Sequence, residues 1–230
     1  MMSIPALHSE TEQLFIMAEA TNCRSLCVTG CHADAGVTSL AMAMAERYIL
    51  AGYKTLLLDL NLHKPSFIPV EGETLSGNVT LITEKESHRC FQGLCCNLDT
   101  ASILELRRGA FLDQQIEIWQ ESYERIVVDT SPLLQKNKGN IPANLVAAAC
   151  DNTLLSVLAG KTTKTEVEKA LKLLDMESIN LLGTVLNLKD QPTLSEEMVR
   201  EINRFSWLPE GVLNWLRQRV RNYKLIDVHS

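Results

Sequence analysis

The sequence predicts an α/β fold: a single doubly wound, mostly parallel sheet with helices on both faces. Two features point there. Short, continuous apolar runs alternate with stretches of helical periodicity between Arg24 and Leu188, and a run apolar at every position suits a strand buried on both faces. No internal repeat or low-complexity linker breaks the alternation, so one sheet takes all the strands, and short connections place helices on both of its sides. Residues 1–22 read as an N-terminal helical segment, 23–190 as the core, and 191–230 as C-terminal helices packing on that core.

The elements follow in order. Residues 24–29 read as the first strand. Val37, Leu40, Ala41, Met44, Ala45, Tyr48 and Ile49 then form one apolar helical face, and Gly52 ends the helix. Residues 54–60 are a second strand buried on both faces. Residues 61–99 contain Pro65, Pro69, Gly72 and Gly77 and read as loops with short elements. Phe111, Leu112, Ile116 and Trp119 mark a further helical face, and residues 125–129 are a buried strand that ends in Thr130-Ser131-Pro132. Asn140-Ile141-Pro142 starts a helix running through Cys150, and residues 153–158 form a strand. Thr165 and Glu168 read as a capping box for a helix that turns Val167, Ala170, Leu171 and Leu174 inward. A strand at 181–188 and helices at 195–205 and 211–223 complete the chain.

Bulk properties narrow the function. Hydrophobic residues make up 46% of the 230, enough for a sizeable core without disulfide or metal staples. The net charge of −6 argues against a nucleic-acid footprint over the whole molecule. No apolar run approaches the roughly 18–20 residues that span a bilayer, and residues 1–12 lack the basic and apolar regions of a secretory signal. The expected location is therefore the cytoplasm. Cys23, Cys27 and Cys31 recur every four residues, but Cys27 falls in a strand, where such neighbours do not converge on a metal. These three, with Cys90, Cys95, Cys96 and Cys150, read as small buried or half-buried thiols in a reducing compartment.

Ligands of doubly wound sheets bind beyond the carboxyl ends of the strands, so the polar residues there carry the functional reading. The first strand runs through Gly30-Cys31-His32-Ala33-Asp34-Ala35-Gly36 into a helix that opens Val37-Thr38-Ser39. Backbone N–H groups at a helix start favour an anion, glycine lets the chain turn tightly, and a hydroxyl just inside the helix can ligate magnesium. This segment taken alone fits a phosphate loop and a plain strand-to-helix turn about equally. Asp59 ends the second strand and Asp129 the strand at 125–129. A carboxylate after a buried strand is costly unless hydrated, paired or near a metal, and two of them flanking a phosphate loop could hold magnesium and orient a nucleophile.

These residues together resemble the bacterial tyrosine kinases of capsule and exopolysaccharide synthesis, relatives of the MinD and ParA P-loop ATPases. The family's Asp-x-Asp-x-Arg motif, often continued as Lys-Pro, corresponds to Asp59-Leu60-Asn61-Leu62-His63-Lys64-Pro65. Its Asp-Thr-Pro-Pro corresponds to Asp129-Thr130-Ser131-Pro132, and its Gly-x-Val-Leu-Asn strand to Gly183-Thr184-Val185-Leu186-Asn187. The resemblance implies a P-loop NTPase-like fold with ATP or ADP and magnesium as cofactors. It implies phosphate binding by Gly30, Ala35, Gly36, Val37, Thr38 and Ser39, magnesium on Thr38 and Asp129, catalytic roles for Asp59 and Asp129, and Asn187 near the base. It further implies a membrane-bound polysaccharide co-polymerase, or chain-length-control protein, as partner, and recruitment to the inner face of the plasma membrane.

The departures are equally specific. Val37 replaces the phosphate-loop lysine, and His32 stands where MinD-type proteins carry a second, signature lysine. Asn61 and His63 replace the second Asp and the Arg of the later motif. A lost charged hydrogen bond to phosphate costs about 1.5–3 kcal/mol, and phosphoryl transfer suffers more than binding because it depends on electrostatics and positioning. The segment 9–20 is acidic and lacks the arginines through which family members assemble into rings, and Tyr223 is the sole tyrosine near the C-terminus, where the kinases carry a tyrosine-rich tail. The last helix sets Arg217, Arg219, Arg221 and Lys224 against Val212, Trp215, Leu216 and Val220, a solvated basic face over a packed apolar one, or a docking face for an acidic partner or membrane. Three readings stand: a divergent or pseudo-kinase that regulates polysaccharide export, an active tyrosine kinase or ATPase, and a MinD- or ParA-like positioning protein.

Overall fold

The computed structural model describes residues 4–62, 64–76, 79–95, 100–135, 139–190, 194–205 and 210–222. The chain divides into two compact units, Met1–Asn187 and Leu188–Ser230. In the first, helix α1 (Ser9–Ala20) precedes β1 (Ser25–Gly30), α2 (Val37–Leu50) and β2 (Thr55–Asp59). Next come β3 (Phe67–Ser76), β4 (Val79–Glu84), β5 (Cys90–Leu94), α3 (Thr100–Leu106) and α4 (Gly109–Ser122). The unit closes with β6 (Arg125–Asp129), α5 (Ala143–Ala149), β7 (Asn152–Leu158), α6 (Lys164–Met176) and β8 (Leu181–Asn187). The second unit consists of α7 (Leu194–Arg204) and α8 (Glu210–Asn222), which contact one another.

One eight-stranded sheet runs in the order β3-β4-β5-β2-β6-β1-β7-β8. Pairing is parallel from β5 to β8 and antiparallel within β3-β4-β5. Successive strand side chains point to opposite faces, and both faces here are dry. Cys27, Leu56, Leu58, Ile126 and Val128 join a core with Leu112, Ile116, Val146, Ala170 and Leu174 of α4, α5 and α6. Their neighbours Leu26, Val28, Leu57 and Val127 join the opposite core with Leu40, Met44 and Ala45 of α2 and Ala18 of α1. That double burial is why these strands read as unbroken apolar runs. Strand β1 has β6 on one side and β7 on the other, so the strand order switches there and opens the crevice that the β1–α2 loop occupies.

The acidic helix α1 is pinned to this unit. Glu12 pairs with Arg47 of α2, Nε to Oε2 at 2.5 Å. Glu19 accepts from Arg125 at 2.8 Å and from the Tyr53 hydroxyl at 2.5 Å. Glu12 and Glu19 are therefore engaged within the chain. Because α1 covers its back, α2 is buried nearly all round, Met42 and Ala43 included, whereas Ile49, expected on the inner face, is 45% exposed.

Three further expectations are corrected. Residues 61–99 are not mainly loop but contribute the β3-β4-β5 meander. Pro69 sits in the edge strand β3, where a missing N–H is tolerated, and register shifts after Pro69 and Thr74 hide the alternation. The capping box of α6 is Thr163 with Glu166, two residues earlier than expected: Thr163 N donates to Glu166 Oε2 at 2.8 Å and Glu166 N to Thr163 Oγ1 at 3.4 Å. Leu171 lies on the outer side of that helix, 36% exposed. Of the cysteines, Cys90 is exposed and Cys23, Cys27, Cys31, Cys95 and Cys150 are buried, while Cys96 lies outside the described residues. His63, Tyr223 and Lys224 also lie outside them, as do the side chains of Arg217, Val220 and Arg221.

Gly93 lies at a close backbone approach in the sheet. A Cβ built there would stand 2.3 Å from the Leu57 carbonyl oxygen and 2.4 Å from Ile82 Cδ1. Gly93→Ala is therefore expected to prise β5 from β2 and to cost about 1–3 kcal/mol, the usual range for overpacking, measured by urea denaturation. A change under about 0.5 kcal/mol, the range of surface substitutions, would contradict this packing.

Candidate functional site

Strand β1 delivers the chain to the loop and α2 takes it away. The Cys31 N–H is held by the Ser156 carbonyl at 3.3 Å, and the carbonyl of Gly30 accepts from Leu133 N at 2.8 Å. Gly36 is the N-cap of α2 with φ +87°, a left-handed conformation that glycine adopts without strain. The loop is fastened from the side by β7 and β8. Ser156 Oγ donates to the Ala35 carbonyl at 2.6 Å and Asn187 Nδ2 donates to the same oxygen at 2.9 Å. Asn187 also fills the space beside Gly36, where a Cβ would lie 2.2 Å from Nδ2.

Where a lysine would project over such a loop, Val37 turns inward. It is 9% exposed and belongs to the core cluster of Val28, Ala35 and Leu40. A Cβ on Gly30 would stand 2.9 Å from Val37 Cγ2 and 2.9 Å from Ala35 Cβ. His32 Nε2 stands 3.1 Å from Glu166 Oε1, an ion-pair distance outside hydrogen-bond alignment. The carboxylate of Glu166 is held below its usual range by the Thr163 backbone N–H and hydroxyl, then by His32.

The acidic part of the site is built by neighbouring strands. Asp59 and Asp129 are register partners at the ends of β2 and β6, and both are fully buried. Thr38, in the first turn of α2, donates from Oγ1 to Asp129 Oδ2 at 2.6 Å and lies 3.3 Å from Ser66 Oγ. Among the described residues, Asp129 Oδ1 is buried without a hydrogen-bond partner. Asp59 Oδ1 accepts from Asn61 N at 3.1 Å, and Oδ2 accepts from Ser66 N at 2.9 Å and Phe67 N at 3.3 Å. Burial pushes the Asp59 carboxyl above its ordinary range, and the three backbone N–H groups pull against that rise. Asp129 is pushed well above it, first by burial and then by the Asp59 charge, with the Thr38 hydroxyl opposing.

Thus Thr38, Asp59 and Asp129 come together, and Gly30, Ala35, Gly36, Val37, Ser39 and Asn187 surround the loop beside them. The sequence did not mark Ser66, which ties Thr38 to the segment after β2, nor Ser156, which anchors the loop. Neither has a motif signal, because their partners lie 28 and 121 residues away. A cavity of about 640 Å³ opens at the opposite ends of the strands, near Thr21, Asp151 and Asn180. There Asp151 is already engaged by the N–H groups of Arg24 and Ser25 at 2.8 and 2.7 Å.

A hydroxyl and a half-satisfied carboxylate form a hard-oxygen donor set, the kind that suits magnesium. No family model matches the chain. The tyrosine-protein kinase CpsD of Streptococcus agalactiae is 30% identical over 165 residues, 65% of this chain and 67% of the relative. The putative tyrosine-protein kinase CapB of Staphylococcus aureus is 28% identical over 177 residues, 71% of this chain and 75% of the relative. Among solved structures, the kinase domain of the Escherichia coli tyrosine kinase ETK superposes with a TM-score of 0.58 at 22% identity, covering 77% of this chain and 72% of that one. Cobyrinic acid a,c-diamide synthase of Mycobacterium smegmatis, with bound ATP analogue and magnesium, does so with 0.53 at 17% identity, covering 81% and 84%. At such identities these structures establish the fold: a mostly parallel P-loop NTPase sheet.

The two raised carboxyls give a pH prediction. The folded state holds their protons more tightly than the unfolded chain, so the stability they contribute is fully present below the ordinary Asp value of 3.8 and is lost as pH rises through the raised folded values. In magnesium-free buffer, Asp129→Asn should be more stable than the parent at pH 7.5 by about 1–3 kcal/mol, with the advantage shrinking toward pH 4. Urea denaturation at both pH values tests this. A difference independent of pH would contradict the assignment of the burden to this carboxylate.

Proposed function

The chain belongs to the bacterial tyrosine-protein kinases of capsule and exopolysaccharide synthesis, and we propose that it is a divergent member that binds magnesium nucleotide weakly and regulates polysaccharide assembly more than it phosphorylates. The observation that carries this reading is Val37. Its side chain stands at the phosphate-loop lysine's place and is committed to the core over Gly30, so the transferring group lacks a cation that such chemistry relies on. Thr38, Asp59 and Asp129 are nevertheless retained and adjacent.

In this reading, the backbone from Gly36 to Ser39 would cradle the phosphates at the N-terminus of α2, where backbone N–H groups favour an anion. Thr38 and Asp129 would hold magnesium, and the buried Asp129 Oδ1 fits that role. The ion would neutralise phosphate charge. Asp59, locked by three backbone N–H groups, would orient a hydroxyl or water nucleophile. Asn187, which secures Ala35, would lie on the base side of the site. By family resemblance, the partner would be a membrane-bound polysaccharide co-polymerase that recruits the chain to the inner membrane face. No helix among the described residues is long and apolar enough to cross a membrane itself. A MinD-like positioning role is disfavoured because His32 stands where the signature lysine would be.

Assays of ATP turnover and tyrosine autophosphorylation, with magnesium, test the reading. The parent should fall far below the roughly 1–100 s⁻¹ typical of kinases, and Val37→Lys should raise ATP affinity or turnover by about tenfold or more, as a regained charged hydrogen bond implies. Kinase-like turnover in the parent would overturn the pseudo-kinase reading. A silent Val37→Lys would show that the loop differs by more than one cation.

A further inference from the structure

The loop lacks its own lysine, but a lysine from the next connection reaches it. Lys64 lies in the segment after β2, whose course is fixed by bonds to two side chains. Asp59 accepts from the N–H groups of Asn61, Ser66 and Phe67, and Asn61 Oδ1 accepts from Lys64 N at 3.3 Å. From that base the Lys64 side chain extends to the loop, and Nζ donates to Asp34 Oδ1 at 2.8 Å. Asp34 is a loop residue with φ +62°, two positions before Gly36. Both side chains are largely exposed, 71% and 59%, so the pair stands at the open side of the loop, where an exposed ion pair is worth little and exchanges partners readily.

A carboxylate in an anion-binding loop repels phosphate, and an ammonium group beside it is the charge that a phosphate would attract. Resting on the reading of the loop as a nucleotide site, we infer that Lys64 is a phosphate-binding residue that substitutes, from the β2–β3 connection, for the lysine replaced by Val37. Asp34 holds the ammonium beside the loop, and when nucleotide enters Nζ transfers its hydrogen bond from Asp34 Oδ1 to a phosphate oxygen. Lysine suits this role as a flexible point charge with three donors. Asp34 thereby serves as a positioning residue, since its carboxylate parks the lysine without touching the phosphate.

Neutralising Asp34 and contacting phosphate are separable by a double-mutant cycle. The full-length parent, Lys64→Met, Asp34→Asn and the double variant are titrated with magnesium-ADP by calorimetry. Asn tolerates the left-handed conformation at position 34, and Lys64 is exposed, so thermal melts of all four proteins should agree. Lys64→Met should weaken binding about tenfold or more in both backgrounds, as loss of a charged hydrogen bond implies, and should lessen the salt dependence. If the parent binds but Lys64→Met has no effect in the Asp34→Asn background, Lys64 merely neutralises Asp34 and the inference fails while the nucleotide site stands. If the parent does not bind magnesium-ADP at all, both fail.

Discussion

Two carboxylates side by side in a dry sheet constrain this molecule more than any other feature. Asp59 and Asp129 face each other across the β2–β6 ladder with no exposed surface. Like charges so placed cannot both ionise cheaply, and the surrounding chain is organised around that difficulty. The backbone after β2 wraps three N–H groups onto Asp59. The start of α2 brings the Thr38 hydroxyl to Asp129. What is left over is one buried carboxylate oxygen on Asp129. A fold does not keep such an atom for stability, since buried polar groups without partners cost free energy. It is consistent with a site that a cation completes, and the two adjacent buried acids beside the start of α2 are the central physical fact about the protein.

The loop shows the complementary half of that account. Its backbone shape is supported from three directions: by Ser156, by Asn187 and by the left-handed turn at Gly36. The side chain at 37 has meanwhile become part of the core. With valine at this position the turn is ordered, and Val37 adds apolar contacts over Gly30. In the proposed reading, geometry for binding and electrostatics for transfer are separated, because the first resides in backbone N–H groups and the second in a side chain. Lys64, arriving from a different connection, meets the loop at its rim through Asp34.

The parallel strands were legible in the sequence because burial on both faces leaves an apolar run, as in Leu56-Leu57-Leu58 and Ile126-Val127-Val128. The antiparallel meander was not, because Pro69 and two register shifts break the period that would announce β3. The α6 cap was displaced because Thr163 with Glu166 and Thr165 with Glu168 satisfy the same spacing, and only packing chooses between them. Within the site, Gly36, Thr38, Asp59, Asp129 and Asn187 were legible as local motifs. Ser66, Ser156 and the Lys64–Asp34 pair were not, since each depends on chain segments brought together only by the completed sheet. The acidic character of α1 was visible, but its use, in bonds to Arg47, Arg125 and Tyr53, required the fold.

The most direct test of the account is whether the buried acid pair forms a cation-dependent nucleotide site. Calorimetric titration of the purified parent with ADP, with and without magnesium and alongside Asp129→Ala, measures this. The account predicts binding that requires magnesium and disappears when Asp129 is removed. Binding of equal strength without magnesium, or no binding up to millimolar nucleotide, would contradict it.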